Sequence, residues 1–374
     1  MSEIKKLGMP KWGLTMKEGT VVEWLVEEGA EVSGGDEIVE VESEKINNAV
    51  EAPAAGVLRR RVAAEGDVLP VGGLLGVIAE ASVPDEEIDA FVKEFEETFV
   101  PEDEAADGAP APETVEVGGR SIQFLKLGDD DSGATPLVMI PGYGGDINIF
   151  VFNQETLAAD RPVYALDLPG HGGSTKEVGE GSLDSFVEVV DGFLQSQGIE
   201  RAHLAGHSMG GAVATAYALA HPEKVASLIL LASAGFGEEI NTDYIEGFIA
   251  ANKRRDMKST LQMLFADPDL VTRDLVNDIL SYKRKDGVNE ALRKIADSVF
   301  ADGRQARVVQ AAELADVPVL AVWGSEDRIV PASHAQNLPE SAKVETIEGK
   351  GHMVQMEAAG PTNRAIQEFL SGVE

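Results

Sequence analysis

The stretch Gly206-His207-Ser208-Met209-Gly210 decides the fold of the larger part of this chain. It follows an apolar run, 202–205, that predicts a strand, and it precedes an alanine-rich run, 212–220, that predicts a helix. A serine in so tight a connection takes a strained backbone conformation, and the flanking glycines let strand and helix approach closely. Such a motif also arises by chance in a chain with 39 glycines. Its place between a strand and a helix favours a nucleophile.

Length and composition limit the possible classes of protein. The 374 residues predict two domains, and the 44% apolar content is enough for a sizeable core. The sequence lacks both a run of about 18 apolar residues and an apolar signal segment, so we expect a cytoplasmic protein without a membrane span. The absence of cysteine excludes disulfides, thiolate nucleophiles and cysteine-based metal sites, and we expect no metal. The net charge of −34 argues against nucleic acid or an anionic membrane as partner.

Residues 1–80 contain an internal repeat. The segment 19–25 (GTVVEWL) leads to Glu28-Gly29, and the segment 56–62 (GVLRRRV) leads to Glu65-Gly66, 37 positions later in each case. Both halves alternate apolar and polar residues between glycines, which predicts short strands. Two copies of one half-sheet predict a small all-β domain with internal two-fold symmetry.

A polar turn, 41–48 (VESEKINN), joins the two halves and has Lys45 at its tip. Together with the opening segment 9–19 (MPKWGLTMKEG), it resembles the lipoyl domains of the 2-oxo acid and acetoin dehydrogenase complexes. The resemblance implies a lipoyl/biotinyl-type fold with lipoate in amide linkage on Lys45. The related biotinyl domains place methionine on both sides of their lysine, whereas Glu44 and Ile46 stand here. The alternative for Lys45 is an ordinary solvated turn lysine.

The pattern changes between residues 81 and 113. A helix is predicted from Pro84, because an acidic first turn is followed by apolar residues on one face, from Ile88 to Phe99. Its apolar face could dock a partner subunit or pack on its own chain. The segment 101–113, rich in Pro, Ala, Glu and Asp, predicts a flexible linker.

Strand and helix patterns alternate from residue 114 to residue 374. A hairpin is predicted at 115–124 from its Gly-Gly turn, and apolar strand runs follow at 137–140, 163–167, 202–205, 228–232, 317–323 and 343–347. This order predicts a mostly parallel sheet with helices on both faces. Residues 236–312, between two of the strands, form a helical insertion that we interpret as a cap.

The candidate motifs all follow predicted strands, at the edge of a parallel sheet where ligands bind. They are PGYGGD at 141–146, DLPGHGGS at 167–174, GHSMG at 206–210, WGSEDRIVP at 323–331 and GKGH at 349–352. In this order they resemble the α/β-hydrolase family over essentially all of residues 114–374. The resemblance implies a catalytic triad of Ser208, Asp327 and His352, and backbone oxyanion donors at Tyr143 and Met209. The family commonly has His-Gly where this chain has Pro141-Gly142.

The order of residues along the chain supports the same histidine. The family runs serine, acid, histidine, and only His221, His334 and His352 follow Ser208. His221 stands at a predicted helix end and His334 just inside a helix, whereas His352 lies in a glycine-bracketed loop after the last strand. We expect His171 to belong to a structural loop and His207 to point away from the site.

The two domains together resemble the dihydrolipoamide acetyltransferase components of bacterial acetoin dehydrogenase complexes over nearly the whole chain. The resemblance implies that Ser208 takes an acetyl group from acetyl-dihydrolipoyl-Lys45 and that His352 activates coenzyme A to accept it. It also implies thiamine-diphosphate-dependent acetoin dehydrogenase and dihydrolipoamide dehydrogenase subunits as partners, and a homo-oligomer. The His-x-x-x-Asp-Gly motif of the wider acyltransferase family is absent from the sequence.

Two alternatives to acetyl transfer stay open at this point. The serine domain could be a hydrolase of esters or carbon–carbon bonds that the lipoyl domain merely recruits, or it could be a silent scaffold for a lipoyl carrier.

The segment 240–310 carries 12 basic and 11 acidic residues in an otherwise strongly acidic chain. Its basic residues could bind the phosphates of coenzyme A, dock the acidic lipoyl domain, or form a solvated helical surface.

Overall fold

The chain divides into two compact units, Met1–Ala109 and Pro110–Glu374. A computed structural model of the chain describes residues 4–10, 12, 16–43, 47–99 and 110–373. Lys45 therefore lies outside the described residues, as do parts of the opening segment and of the linker. In the described part of the chain, no helix is long and apolar enough to cross a membrane.

The N-terminal unit is built from short strands in two sheets. They are β1 (Lys5–Gly8), β2 (Glu18–Trp24), β3 (Glu31–Val32), β4 (Glu37–Glu42), β5 (Asn47–Glu51), β6 (Gly56–Arg61), β7 (Val68–Pro70) and β8 (Leu74–Ala79). As far as the described residues go, each sheet has four strands, in the orders β1-β8-β6-β3 and β5-β4-β2-β7. If each strand number is advanced by four, counting on from β8 to β1, one order becomes the other. The repeat in the sequence therefore corresponds to a two-fold relation between the sheets.

The two sheets enclose one core. Ile38 and Val41 from the first half of the repeat, and Leu58 and Ile78 from the second, are fully buried there. Trp24 is also buried, and its indole Nε1 donates to the carbonyl oxygen of Ala63 at 3.0 Å. This bond satisfies a polar group that would otherwise be costly inside the core.

Strands β4 and β5 form the antiparallel hairpin on which the sequence places the lipoate attachment site. Glu42 pairs with Asn47 at the end nearest the turn, and Val41 pairs with Asn48. Lys45 lies between Glu42 and Asn47 in the sequence, outside the described residues, and its attachment role stays a prediction.

Helix α1 (Asp85–Thr98) packs on its own unit. Ile88 is fully buried beside strand β8, in a cluster with Val77 and Val83. Full burial of one such side chain contributes about 1.5–3 kcal/mol. Asp85 also forms an ion pair with Arg59 at 2.7 Å. Of the two interpretations of this helix, the structure supports packing on its own chain.

The C-terminal unit contains one sheet flanked by helices. Its strands are β9 (Glu113–Val117), β10 (Arg120–Leu127), β11 (Leu137–Ile140), β12 (Val163–Leu166), β13 (Ala202–His207), β14 (Val225–Leu231), β15 (Val319–Gly324) and β16 (Lys343–Ile347). The described residues give an eight-stranded order of β16-β15-β14-β13-β11-β12-β10-β9. The pairs β9–β10 and β10–β12 are antiparallel, and all the other pairs are parallel. Strands β13, β14 and β15 are buried at every position, as expected for parallel strands covered on both faces.

The helices complete this unit. They are α2 (Gln154–Leu157), α3 (Leu183–Ser196), α4 (Met209–Ala220), α5 (Thr242–Ala250), α6 (Arg254–Leu261), α7 (Arg273–Lys283), α8 (Val288–Val299), α9 (Val354–Glu357) and α10 (Ala359–Val373). Helices α5 to α8 all lie between β14 and β15 in the chain, inside the insertion that the sequence predicts at 236–312. We call these four helices, together with the segments that connect and follow them within 236–312, the cap.

Candidate active site

Ser208 occupies the turn between β13 and α4 in a strained backbone conformation. Its φ is 53° and its ψ is −120°, in a region that residues with a side chain rarely adopt. The close approach on either side requires glycine. A Cβ on Gly206 would lie 2.4 Å from the carbonyl oxygen of Gly210, and a Cβ on Gly210 would lie 2.1 Å from that of Ile140. The pattern around the serine therefore has the steric cause that the sequence suggests.

The end of strand β14 holds this turn in place. The Ser208 N–H donates to the carbonyl oxygen of Leu231, and the Ala234 N–H donates to that of Ser208, both at 3.0 Å. Between them, Ala232 also has a positive φ of 46° and is fully buried. A second strained residue thus supports the first, and neither can relax without breaking backbone hydrogen bonds.

Asp327 and His352 form a buried pair after strands β15 and β16. The Nδ1 atom of His352 lies 2.8 Å from Oδ2 of Asp327, and the two side chains are 2% and 0% exposed. The other carboxylate oxygen accepts the backbone N–H groups of Ile329 and Val330 at 2.8 and 3.0 Å. With Nδ1 donating to the carboxylate, Nε2 of His352 is left to accept a proton.

His207 connects this pair to the nucleophile turn. Its Nε2 donates to the carbonyl oxygen of His352 at 3.1 Å, and the two ring centroids are 4.7 Å apart. Complete burial, with His352 beside it, lowers the pKa of His207 well below its usual value, so the ring is neutral. The expectation that His207 points away from the site is wrong, because its ring contacts both the carbonyl oxygen and the imidazole of His352.

The cap segment 264–267 holds the histidine loop from the other side. The N–H of His352 donates to the carbonyl oxygen of Leu264 at 2.8 Å. Glu357, which is 7% exposed, bridges the two segments, because Oε1 accepts from the N–H of Gly351 at 2.9 Å and Oε2 from that of Ala266 at 3.0 Å. Burial raises the pKa of Glu357. The sequence analysis missed Glu357, although a lone acid in the apolar stretch 352–358 (HMVQMEA) was a usable signal.

The loop after β11 lies against the nucleophile. A Cβ on Gly142 would be 2.9 Å from Cβ of Ser208, so the loop is in close contact with it. Within the described residues, the N–H groups of Tyr143 and Met209 donate to no other group. Both are therefore free to stabilise an oxyanion.

The side chain of Tyr143 ties the same loop to the cap. Its hydroxyl donates to the carbonyl oxygen of Leu292 at 3.0 Å, and its ring lies 6.0 Å from that of Phe248 and 5.8 Å from that of Phe300. This burial raises the pKa of Tyr143, which stays protonated. The cap thus contacts both the loop that carries a candidate oxyanion donor and the loop that carries His352.

The remaining histidines after Ser208 lie elsewhere. His334 contacts Glu239 at 2.9 Å, and the ring of His221 lies 4.8 Å from that of Tyr217. His171, in the loop after β12, contacts the carbonyl oxygen of Pro169 through Nδ1 at 3.1 Å and is fully buried. No cluster of His, Asp and Glu in the described ranges is arranged to hold a metal ion.

Comparison with known proteins adds the family context. A family model described as the α/β hydrolase fold matches residues 135–359, and one described as biotin-requiring enzyme matches residues 5–78. The dihydrolipoyllysine-residue acetyltransferase component of the acetoin cleaving system of Pseudomonas putida is 50% identical over 372 residues, which cover 99% of each chain. The component of the same name from Cupriavidus necator is 45% identical over 97% of this chain and 96% of its own.

A likeness to solved structures supports the fold of the second unit. The meta-cleavage product hydrolase of Pseudomonas fluorescens IP01 aligns with a TM-score of 0.64 at 23% identity. The alignment covers 70% of this chain and 98% of that one. At this identity the likeness concerns architecture alone, and the chemistry has to be argued from the residues of the site.

Proposed function

This chain belongs to the family of dihydrolipoyllysine-residue acetyltransferase components of acetoin-cleaving systems, and we propose that Ser208, His352 and Asp327 perform its acetyl transfer. The observation that carries the proposal is the buried 2.8 Å contact between His352 Nδ1 and Asp327 Oδ2. It stands beside a second observation, that Ser208 occupies a strained turn whose neighbouring residue His207 contacts His352. A serine hydroxyl becomes a good nucleophile only when a base removes its proton, and an imidazole oriented by a carboxylate is such a base.

The first half-reaction forms an acetyl-enzyme. A lipoyl group on Lys45 would supply the acetyl group as a thioester of its dihydro form. Ser208 attacks the carbonyl carbon of this thioester while His352 Nε2 takes the hydroxyl proton. The N–H groups of Tyr143 and Met209 stabilise the oxyanion, each by about 2.7–4 kcal/mol of barrier. His352 then returns the proton to the departing sulfur, and Ser208 keeps the acetyl group.

The second half-reaction transfers the acetyl group to coenzyme A. His352 removes the thiol proton, the sulfur attacks the ester carbonyl of acetyl-Ser208, and the proton returns to the serine oxygen as acetyl-CoA leaves. Transfer requires that the thiol outcompete water at this step. The cap supports this requirement, because Tyr143 packs against Phe248 and Phe300 and so closes one side of the site.

The experiment that tests the proposal follows the acetyl group. The full-length protein, lipoylated and then acetylated on its reduced lipoyl group, is mixed with coenzyme A, and acetyl-CoA and free acetate are measured. We expect acetyl-CoA from the wild type, at least 10⁴-fold less from Ser208→Ala, and wild-type activity from Ser371→Ala, which removes an exposed hydroxyl. Acetate as the main product would support a hydrolase. Undiminished transfer by Ser208→Ala would support a silent scaffold.

The cofactor and the partners follow from the same family. We propose lipoate on Lys45, which the intact mass of protein from its native host tests, with Lys45→Arg as the control that cannot form the amide. Membership of an acetoin-cleaving system implies a multienzyme complex. We propose a thiamine-diphosphate-dependent acetoin dehydrogenase and a dihydrolipoamide dehydrogenase as its other subunits. A homo-oligomer and a cytoplasmic location stay predictions.

A further inference from the structure

A cavity of about 390 Å³ lies in the cap, between the end of α5 and the connection from α7 to α8. Its volume falls in the range of about 300–1,000 Å³ that small-molecule sites occupy. Three consecutive cationic residues line it, Lys283, Arg284 and Lys285. Asp286 and Glu290 line it too, so its lining carries more positive than negative charge, in a chain whose net charge is −34.

Lys283 is a buried cation without a counter-charge. It is 5% exposed, and its Nζ donates to the carbonyl oxygens of Phe248, Ile249 and Ala251. These carbonyl oxygens lie at the end of helix α5 and accept the ammonium protons of Lys283. Within the described chain, Lys283 has no carboxylate partner. Burial accordingly lowers its pKa to about 8. An anion in the cavity would stabilise its charged form.

Arg284 and Lys285 extend the positive charge to the mouth of the cavity. Both are exposed, and neither forms an ion pair with a described residue. Burial, and to a smaller extent the nearby charge of Lys285, lowers the pKa of Lys176 to about 8. Elsewhere in the cap, by contrast, Arg293 pairs with Glu246 at 2.7 Å. Arg284 and Lys285 thus leave positive charge at the cavity that no ion pair with a described residue neutralises, as an anion-binding surface requires.

The cavity is connected to the catalytic loops through one residue. Phe248, whose carbonyl oxygen receives Lys283, packs its ring against the loop after β11. A Cβ on Gly144 would be 2.6 Å from that ring, and the ring of Tyr143 is 6.0 Å away. Phe248 therefore contacts both Lys283, which lines the cavity, and the loop that carries the candidate oxyanion donor.

We propose that this cavity binds the phosphate groups of the acceptor thiol, through Arg284 and Lys285 at its mouth and the charge of Lys283 at its base. The proposal rests on the proposed function, in which a phosphate-bearing thiol enters the site to take the acetyl group. The phosphates are held in the cap, and the thiol end extends past Phe248 toward Ser208. The acceptor is then selected by its charge as well as by its thiol.

The test compares two acceptors that share the same thiol. Coenzyme A carries the phosphates, and pantetheine lacks them. Steady-state acetyl transfer by the full-length lipoylated protein is measured for the wild type, for Arg284→Ala/Lys285→Ala and for Arg255→Ala/Lys258→Ala. The last variant removes the same charge from exposed positions of helix α6 and controls for the overall electrostatic field.

We expect Arg284→Ala/Lys285→Ala to raise the KM for coenzyme A at least tenfold, with kcat and the kinetics of pantetheine within twofold of the wild type. The control variant should keep all wild-type values within twofold. Equal KM changes in the two double variants, or equal changes for both acceptors, would overturn the site. If the wild type transfers to neither acceptor, the proposed function fails instead. In that case the affinity for coenzyme A, measured by calorimetry, tests the binding site by itself. Binding by Arg284→Ala/Lys285→Ala at least tenfold weaker than by the wild type supports the site, and unchanged binding refutes it.

Discussion

Substituting Glu357 by alanine should lower both the stability of the protein and its catalytic rate, because Glu357 holds the histidine loop. The carboxylate accepts the N–H of Gly351 at 2.9 Å and that of Ala266 at 3.0 Å, and it is 7% exposed. Glu357→Ala leaves both donors buried without an acceptor, at about 1–3 kcal/mol each. We therefore expect the free energy of unfolding to fall by about 2–6 kcal/mol, which a domain of typical stability of about 5–15 kcal/mol survives.

The same change should also misplace the imidazole. His352 follows Gly351 directly, and its own N–H depends on the carbonyl oxygen of Leu264 in the cap segment that Glu357 holds. A shift of about 1 Å at a catalytic group can lower the rate by about 10²-fold. We expect kcat for acetyl-CoA formation to fall by about 10–100-fold at a temperature where the variant is folded, with KM for coenzyme A within threefold.

The control for this prediction is Glu368→Ala, because Glu368 is an exposed acid on helix α10 with a side chain 72% exposed. Its removal should change stability by no more than about 0.5 kcal/mol. Denaturant unfolding and steady-state acetyl transfer measure both effects. Glu357→Gln retains one acceptor oxygen and should fall between the wild type and Glu357→Ala. If Glu357→Ala matched Glu368→Ala in both measurements, the bridge between cap and histidine loop would have no role.

Three further predictions concern backbone strain, the oxyanion loop and pH. Ser208→Gly removes the strain of a φ of 53°, so it should stabilise the protein by about 1 kcal/mol in denaturant unfolding while abolishing acetyl transfer; a destabilised variant would contradict this. Gly142→Ala places a Cβ 2.9 Å from that of Ser208 and should lower kcat about 10²–10³-fold as an oxyanion donor moves, whereas an unchanged kcat would exclude this loop. Burial lowers the pKa of His171 to about 4 from 6.5, so the unfolded chain binds the proton more tightly and stability is lost as pH falls below about 6.5. Between pH 7 and pH 5 the wild type should lose about 2 kcal/mol more than His171→Gln in unfolding experiments, and equal losses would refute the assignment.

The sequence alone determined the architecture of both units, because their signals are local or depend on chain order. The 37-residue repeat predicted the symmetry of the N-terminal sheets, since each half has to form the same strands. The glycines around Ser208 predicted a tight turn, and a Cβ on Gly206 or Gly210 would indeed clash with the neighbouring main chain. Motifs after successive parallel strands had to meet at one edge of the sheet, which brought Asp327 and His352 together.

Only the tertiary structure decided what holds those residues in place. The apolar face of α1 could equally have served a partner until the contacts of Ile88 and the ion pair of Asp85 were known. The side chains of His207 and Glu357 and the carbonyl oxygen of Leu264 hold main-chain groups of the histidine loop and of the cap segment beside it. His207 and His352 are separated by 145 positions. A lone acid in an apolar stretch can mark one partner of such a contact, but every residue type carries the same main-chain groups, so the sequence does not show which main-chain group it meets once the chain has folded.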